Sequence, residues 1–349
     1  MRRAILWTLV GLLVLAGKCL GQQKVGTTGA KFLNLPLSAR AGGFAGAGVA
    51  VTGQGNWLAN PACLGVPGDE STLRLSLTFQ TDDGGRIPNS HNSMSVPYLI
   101  STEQSSLRFG VAPYCIRLDG ELLAQGYSAD PARSYHWSDF ASGVAVGFGW
   151  AGPLEVSLGL GTKYIRQEVK DFSANGISSD AGLILRWPIR LMKENHIWLT
   201  PAAGISWLNF GPDLTMISQE YPLDGSRRAG LAVAIMSTRD DNSASLPVWE
   251  LTGTFEHEEF LNRKHSYIKR LAVAFSVLQL VTLRAGDYLN EDYTWNYTYG
   301  YTLDSRGLIR LLGAGAASPW SRFSISLSQA FLNSDLDDVL LDIGLAYRL

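Results

Sequence analysis

The stretch Val339-Leu340-Leu341-Asp342-Ile343-Gly344-Leu345-Ala346-Tyr347-Arg348-Leu349 decides how this chain is read. Side chains of an extended strand alternate with a period of two, so Val339, Leu341, Ile343, Leu345, Tyr347 and Leu349 share one face. Asp342, Gly344, Ala346 and Arg348 share the other. In a soluble sandwich the apolar face would lie on a second sheet; in a membrane barrel it would face hydrocarbon and the small, polar face would line a lumen. The stretch alone leaves both open.

Working outward, the same signature recurs. Leu73, Leu75, Leu77 and Phe79 alternate with Arg74, Ser76, Thr78 and Gln80. Val144, Val146, Phe148 and Trp150 alternate with Ala145 and glycines. Gly152-Pro153 then turns the chain into Leu154, Val156, Leu158, Leu160, Thr162 and Tyr164, whose other face carries Glu155, Ser157, Gly159, Gly161 and Lys163. Further runs at 181–187, 197–207, 229–235, 249–255, 271–277 and 323–331, with shorter pieces, bring the count to about 14 strands, within the range of outer-membrane barrels.

Composition supports the membrane reading. After the N-terminus no run of about 20 apolar residues occurs, so no spanning helix is expected. Yet hydrophobic residues make up 46% and the 37 glycines exceed the roughly 7% of average usage, many at alternate strand positions where a crowded lumen admits no side chain. Trp150, Tyr164, Trp187, Trp207, Trp249, Tyr288, Trp295 and Trp320 fall where strands should end, as interfacial girdles require. A formal net charge of −2 gives no basic stripe for nucleic acid.

Arg2 and Arg3, the apolar residues 5–16 and the site Cys19-Leu20-Gly21 read as an export signal ending before Gln22. Residues 1–21 are therefore expected to be a signal peptide, 22–69 a hatch or plug, and 70–349 a transmembrane antiparallel β-barrel, an all-β fold. The segment 22–69 lacks strict alternation, but Phe32, Leu33, Leu35, Leu37 and Phe44 give it apolar anchors that a disordered tail would lack. Cys63 and Cys115 either pair in an oxidising compartment or remain buried thiols.

Charged residues on the expected lumen face, Arg74, Glu155, Lys163, Arg186, Glu250, Glu256, Arg284 and Arg348, should pair across the interior, because confined charges need partners. Arg40 is the cation such carboxylates would meet. No cofactor or catalytic site is expected. The glycine run 43–48 has the wrong spacing for a dinucleotide loop; His257-Glu258-Glu259-Phe260-Leu261 has leucine where a zinc protease needs its second histidine. Ser206, His196 and Asp180 could form a hydrolase triad only by chance placement.

Gly29-Ala30-Lys31-Phe32-Leu33, Ala39-Arg40-Ala41-Gly42-Gly43, Gly46-Ala47-Gly48-Val49-Ala50 and Asn56-Trp57-Leu58-Ala59-Asn60-Pro61-Ala62, with Val281-Thr282-Leu283-Arg284-Ala285-Gly286 later, resemble the PorV/PorQ group of outer-membrane proteins. That group is related to FadL-type long-chain fatty-acid transporters. The resemblance implies a FadL-like barrel in the bacterial outer membrane, with a hatch marked by Arg40, Gly42, Gly43, Asn60, Pro61 and Ala62. It also implies a link to type IX secretion, in which the protein holds secreted cargo bearing a C-terminal sorting domain and meets other components of that system.

Two functions follow as expectations. The first is a cargo shuttle working through loops at 128–139 and 289–301, with Tyr293, Trp295 and Tyr297 as contact aromatics, since aromatics are enriched at interfaces. The second is passive transport of hydrophobic small molecules, which calls for an apolar pocket near Phe32, Phe44 and Trp57. Outer-membrane lipid is a partner in both.

Overall fold

The structure, a computed structural model, describes residues 28–52, 56–66, 72–82, 90–95, 98–101, 107–124, 133–192, 196–239, 247–262, 266–289, 295–311, 323–332 and 338–348. The export signal expected at 1–21 lies outside them. Eighteen strands occur among these residues: β1 Thr72–Asp82, β2 Ser90–Ser95, β3 Tyr98–Ser101, β4 Leu107–Ala124, β5 Arg133–Trp150, β6 Glu155–Val169, β7 Phe172–Arg186, β8 Ile189–Met192, β9 Ile197–Phe210, β10 Leu214–Met216, β11 Gln219–Tyr221, β12 Ser226–Thr238, β13 Pro247–Phe260, β14 Tyr267–Val277, β15 Val281–Leu289, β16 Trp295–Asp304, β17 Phe323–Phe331 and β18 Asp338–Arg348.

Every pairing between these strands is antiparallel, and the sheet closes on itself. β1 meets β18 from Thr72↔Arg348 to Asp82↔Asp338, while β9 meets β12 from Leu208↔Ser226 to Ile197↔Ser237. β2 and β3 both bridge β1 and β4, and β8 continues the line of β7 along β9. Fourteen staves result, β10 and β11 forming a separate small hairpin. Closure leaves no unpaired edge, which is the condition for crossing lipid with strands. No helix among the described residues is long and apolar enough to cross a membrane.

The alternation read from the sequence is the burial pattern of the ring. Leu158 and Leu160 are 54% and 62% exposed, whereas Ser157 and Lys163 on the opposite face are buried. Along β18, Ile343 and Leu345 are exposed and Asp342 is buried. Rows of exposed Leu, Val and Phe on nearly every stave cannot be covered by a second layer, so hydrocarbon is what they fit.

β4 and β5 are 18 residues long, well beyond the roughly 9–11 residues a tilted strand needs to span a bilayer. Polarity inverts along the excess length. Outward positions of β4 pass from Leu107, Phe109 and Val111 to Pro113, Cys115, Arg117 and Asp119, while inward positions pass from Arg108, Gly110 and Ala112 to Tyr114, Ile116 and Leu118. β6 does the same: Leu158, Leu160 and Tyr164 give way outside to Arg166 and Glu168, and Gly159, Gly161 and Lys163 give way inside to Ile165. The upper parts of β4 and β6 are therefore polar outside and, apart from the inward Gln167 that bonds Asp139 of β5, apolar inside. The loop expected at 128–139 is corrected accordingly, because β5 already begins at Arg133.

Candidate functional site

The interior face of the sheet is a surface of glycines, and the N-terminal segment lies against it. Gly110, Gly147, Gly159 and Gly182 stand abreast on β4–β7, followed on β9 by Ser206. A Cβ on Gly159 would come within 2.1 Å of the Ala62 nitrogen, and one on Gly182 within 1.8 Å of Asn60 Oδ1. The next row runs through Gly149, Ser157, Ile184, Gly204 and Gly230 to Glu256. A Cβ on Gly149 would meet Gly65 O at 1.8 Å, and one on Gly204 would meet Val49 O at 2.0 Å. Backbone touches backbone here, so neither side has a rotamer with which to yield.

Asn60 fixes the segment's far end. It is completely buried and caps the 3-10 turn Pro61–Gly65, its Oδ1 accepting from Ala62 N–H at 3.0 Å. Proline at the first position of that turn has no N–H to satisfy. Asn60 Nδ2 donates to Val49 O at 2.7 Å and to Leu183 O and Ile205 O at 3.3 Å, joining the segment to β7 and β9. Ser157 and Ser206 hydroxyls donate to Ala62 O and Ala59 O at 2.6 and 2.8 Å. At the other end Gly29 and Ala30 are tied to Pro222 O and Gln167 Oε1, and Ser38 caps α1 (Ala39–Gly42).

Three charge networks line this contact. In the first, Glu256 and Glu258 on β13, both fully buried, face Arg228 on β12 and Arg270 on β14. Arg270 donates to both carboxylates, Arg228 donates to Glu258 at 2.9 Å, and Glu256 Oε2 accepts the N–H groups of Gly48 and Val49 at 2.9 and 3.0 Å. The second runs Lys163–Asp180–Asn209–Asn34–Asp224, opening with a 2.6 Å ion pair. In the third, Asp342 accepts Ala39 N–H at 2.8 Å, and Arg40 and Arg284 are joined through the Ser328 and Thr302 hydroxyls. Burial, opposed by Asp304 and Asp342 and assisted by Arg306, lowers the Arg40 guanidinium to about 10.

The structure brings Arg40, Gly42, Gly43, Asn60, Pro61 and Ala62 into this contact. Gly42 abuts Leu332 and Leu340, and Gly43 approaches Gly300 of β16. Glu155 and Arg186 pair at 3.2 Å, and Glu250 accepts from Thr252; of Arg74 and Arg348 only the backbone is described. Sequence reading missed Glu258, Arg228 and Arg270. Their signal was present, because Glu256 and Glu258 two apart on one strand share a face and therefore a need for cations.

Other expectations are corrected. Trp295 and Tyr297 belong to strand β16, not to a loop, and Tyr297 and Tyr299 are exposed on the outward face with the apolar rows. Tyr293 lies outside the described residues. His196 immediately precedes β9 and Ser206 lies ten residues further along the chain, roughly 33 Å at about 3.3 Å per residue, and Asp180 is engaged by Lys163; the three are not brought together. The segment with His257 lies on β13, which continues the strand read at 249–255. Phe32 and Trp57 share one apolar cluster with Tyr114, Ile116, Leu118, Ile165 and Leu214, whereas Phe44 packs elsewhere with Ala47 and Ala272.

Cys63 and Cys115 are free thiols. Cys63 lies on the Val51 carbonyl at 3.6 Å, and burial, reinforced by Glu256 and opposed by Arg186, pushes it up to about 12. Only the thiolate reacts quickly, so a maleimide at neutral pH should leave Cys63 unlabelled in the folded protein and modify it in denaturant. Mass spectrometry of the peptides reads this directly; full labelling of Cys63 under folding conditions would contradict the buried seat.

No family model and no curated protein matches the chain. Solved structures do. The chain is similar to the toluene transporter TbuX of Ralstonia pickettii, with 12% identity, 91% of this chain and 99% of that one covered, and a TM-score of 0.52. It is similar to the P. putida toluene transporter TodX, with 13% identity, coverage of 90% and 99%, and a TM-score of 0.51. A TodX monoaromatic hydrocarbon channel deltaS2 mutant matches with 12% identity, coverage of 89% and 97%, and a TM-score of 0.54. These likenesses show the fold: a transmembrane antiparallel β-barrel like that of these proteins.

Proposed function

We propose that this chain is an outer-membrane channel for hydrophobic small molecules, with its N-terminal segment acting as a hatch in the lumen. The observation that carries the reading is the polarity inversion of β4 and β6. Above the bilayer the wall turns polar outside, at Arg117 and Arg166, and apolar inside, at Tyr114, Ile116, Leu118 and Ile165. Phe32 and Trp57 of the N-terminal segment cover this apolar wall, a contact of the kind an apolar solute would make in their place. The solved neighbours' names, toluene transporters and a monoaromatic hydrocarbon channel, agree in chemical class. The glycine seat supports the hatch: backbone contacts and a few carboxylate bonds hold the segment in the bore, with Phe32 and Trp57 packed on the apolar wall. The secreted-cargo reading comes from the resemblance to the PorV/PorQ group; of its candidate contact aromatics, Trp295 and Tyr297 sit on a strand and not on a loop.

The test is uptake of a hydrophobic fluorescent probe into liposomes carrying the full chain. Protein-dependent entry is expected, and Ile116→Asp and Ile165→Asp should each slow it, since a buried unpaired carboxylate opposes an apolar solute. Entry no faster than through empty liposomes would reject the channel reading. So would recovery of secreted proteins sharing a sorting domain as the main species bound to the protein from its native membrane.

A further inference from the structure

One polar group in the apolar cluster of the lumen is not used by the fold. Tyr114 lies inward on β4 between Ala112 and Ile116 and is only 7% exposed. Its ring meets that of Trp57 at 5.1 Å between centroids, tilted by 60°, with Ile116, Leu118 and Ile165 in the same cluster. The contact is ring to ring. Neither the Tyr114 hydroxyl nor the Trp57 indole N–H has a hydrogen-bond partner among the described residues. Buried polar groups are nearly always bonded, and phenylalanine would pack on this wall as well, so the hydroxyl calls for a partner that the chain does not supply.

The ionisable groups around Tyr114 are already engaged. In its row across β5 stands Lys163, whose ammonium is held by both oxygens of Asp180 at 2.6 and 2.7 Å. In the row of Leu118 stand Asp139 and Gln167, joined to each other at 2.8 Å. A second carboxylate brought to this wall would find Lys163 taken and meet the charge of Asp139. We propose that Tyr114 selects among the solutes of the channel: its hydroxyl bonds a single uncharged oxygen on an otherwise apolar molecule, a phenol or an alkanol, which takes the place of Trp57 on the wall. The assignment rests on the channel reading and adds a substrate class to it. A hydrocarbon in the same place leaves the hydroxyl unbonded, and a site with a polar group to satisfy penalises the analogue that lacks its partner.

The test is equilibrium binding to the purified full chain, read by displacement of a bound hydrophobic fluorophore, with toluene, p-cresol and p-toluate as probes. The first two differ by one hydroxyl, and the third carries a carboxylate. Parent and variant share one detergent, so partition into micelles cancels. Tyr114→Phe keeps the ring and should fold normally, checked by heat-dependent gel mobility, yet weaken p-cresol about tenfold, about 1.4 kcal/mol, with toluene unchanged. In the parent, p-toluate should bind more weakly than p-cresol, and Asp139→Asn should narrow that gap. Equal loss of toluene and p-cresol in Tyr114→Phe, or no loss of p-cresol, would overturn the selection and leave the channel reading standing. Tighter binding of p-toluate than of p-cresol would overturn the uncharged class. Failure of p-cresol to displace the fluorophore would overturn the assignment too; the channel reading falls with it only if uptake into liposomes also fails.

Discussion

Gly159→Val is expected to drive the N-terminal segment off its seat while leaving the ring of strands assembled. The new Cβ would stand 2.1 Å from the Ala62 nitrogen and the Pro61 carbonyl carbon. Those are backbone atoms, so the clash is relieved only by moving the segment or bending β6. The pairing of Gly159 with Gly147 and Gly182 holds β6 within the sheet; the segment is the part that gives. Overpacking of this kind costs about 1–3 kcal/mol, and the displaced Asn60 would forfeit its bonds to Val49, Leu183 and Ile205 as well. Limited proteolysis should cut within residues 28–66 in the variant and not in the parent, with heat-dependent gel mobility retained. Gly253→Val is the control, because nothing surrounds that position. Continued protection in Gly159→Val would show that the contact is not tight.

Glu256→Ala should be the most damaging single substitution among the buried charges. It removes the acceptor of two segment N–H groups and leaves Arg228 and Arg270 sharing Glu258 alone. Breaking a buried ion network by removing one partner costs about 3–5 kcal/mol, whereas replacing the charges together by apolar groups is far milder. Guanidinium unfolding followed by tryptophan fluorescence should therefore place Glu256→Ala well below the parent, with the pair Glu256→Met and Arg270→Met above Glu256→Ala. Equal midpoints for parent and Glu256→Ala would mean that the carboxylate is solvated.

Much of this architecture was legible because hydrocarbon imposes a simple rule on strands. Where lipid touches the sheet, the outward face must be apolar and the inward face small, and 323–331 could be read to its ends. The rule fails above the bilayer, where β4 and β6 carry Arg117 and Arg166 outside and Ile116 and Ile165 inside. There the charges at 133–139 imitate a loop although the backbone is still paired. The run Trp295, Tyr297, Tyr299, Tyr301 imitated a binding loop, yet its spacing of two is that of one strand face. Within the site, Asn60 and the glycines announced close approach, but not the partners, because what a glycine touches is set by register between distant strands. Glu256 and Glu258 signalled a need for cations, but not that Arg228 and Arg270 supply them, because each meets Glu258 only from a neighbouring stave.

The seam between β1 and β18 has a kinetic consequence. Thr72 pairs with Arg348, and the Ala39 N–H reaches Asp342 across 303 residues, so the contacts that seal the cylinder are among the least local the chain can make. Loop entropy must be spent before such contacts return anything, which makes high-contact-order folding slow. Hairpins such as β5–β6 can zip early, but the final join waits on both termini meeting, and substitutions there should change the rate of assembly more than those in any hairpin.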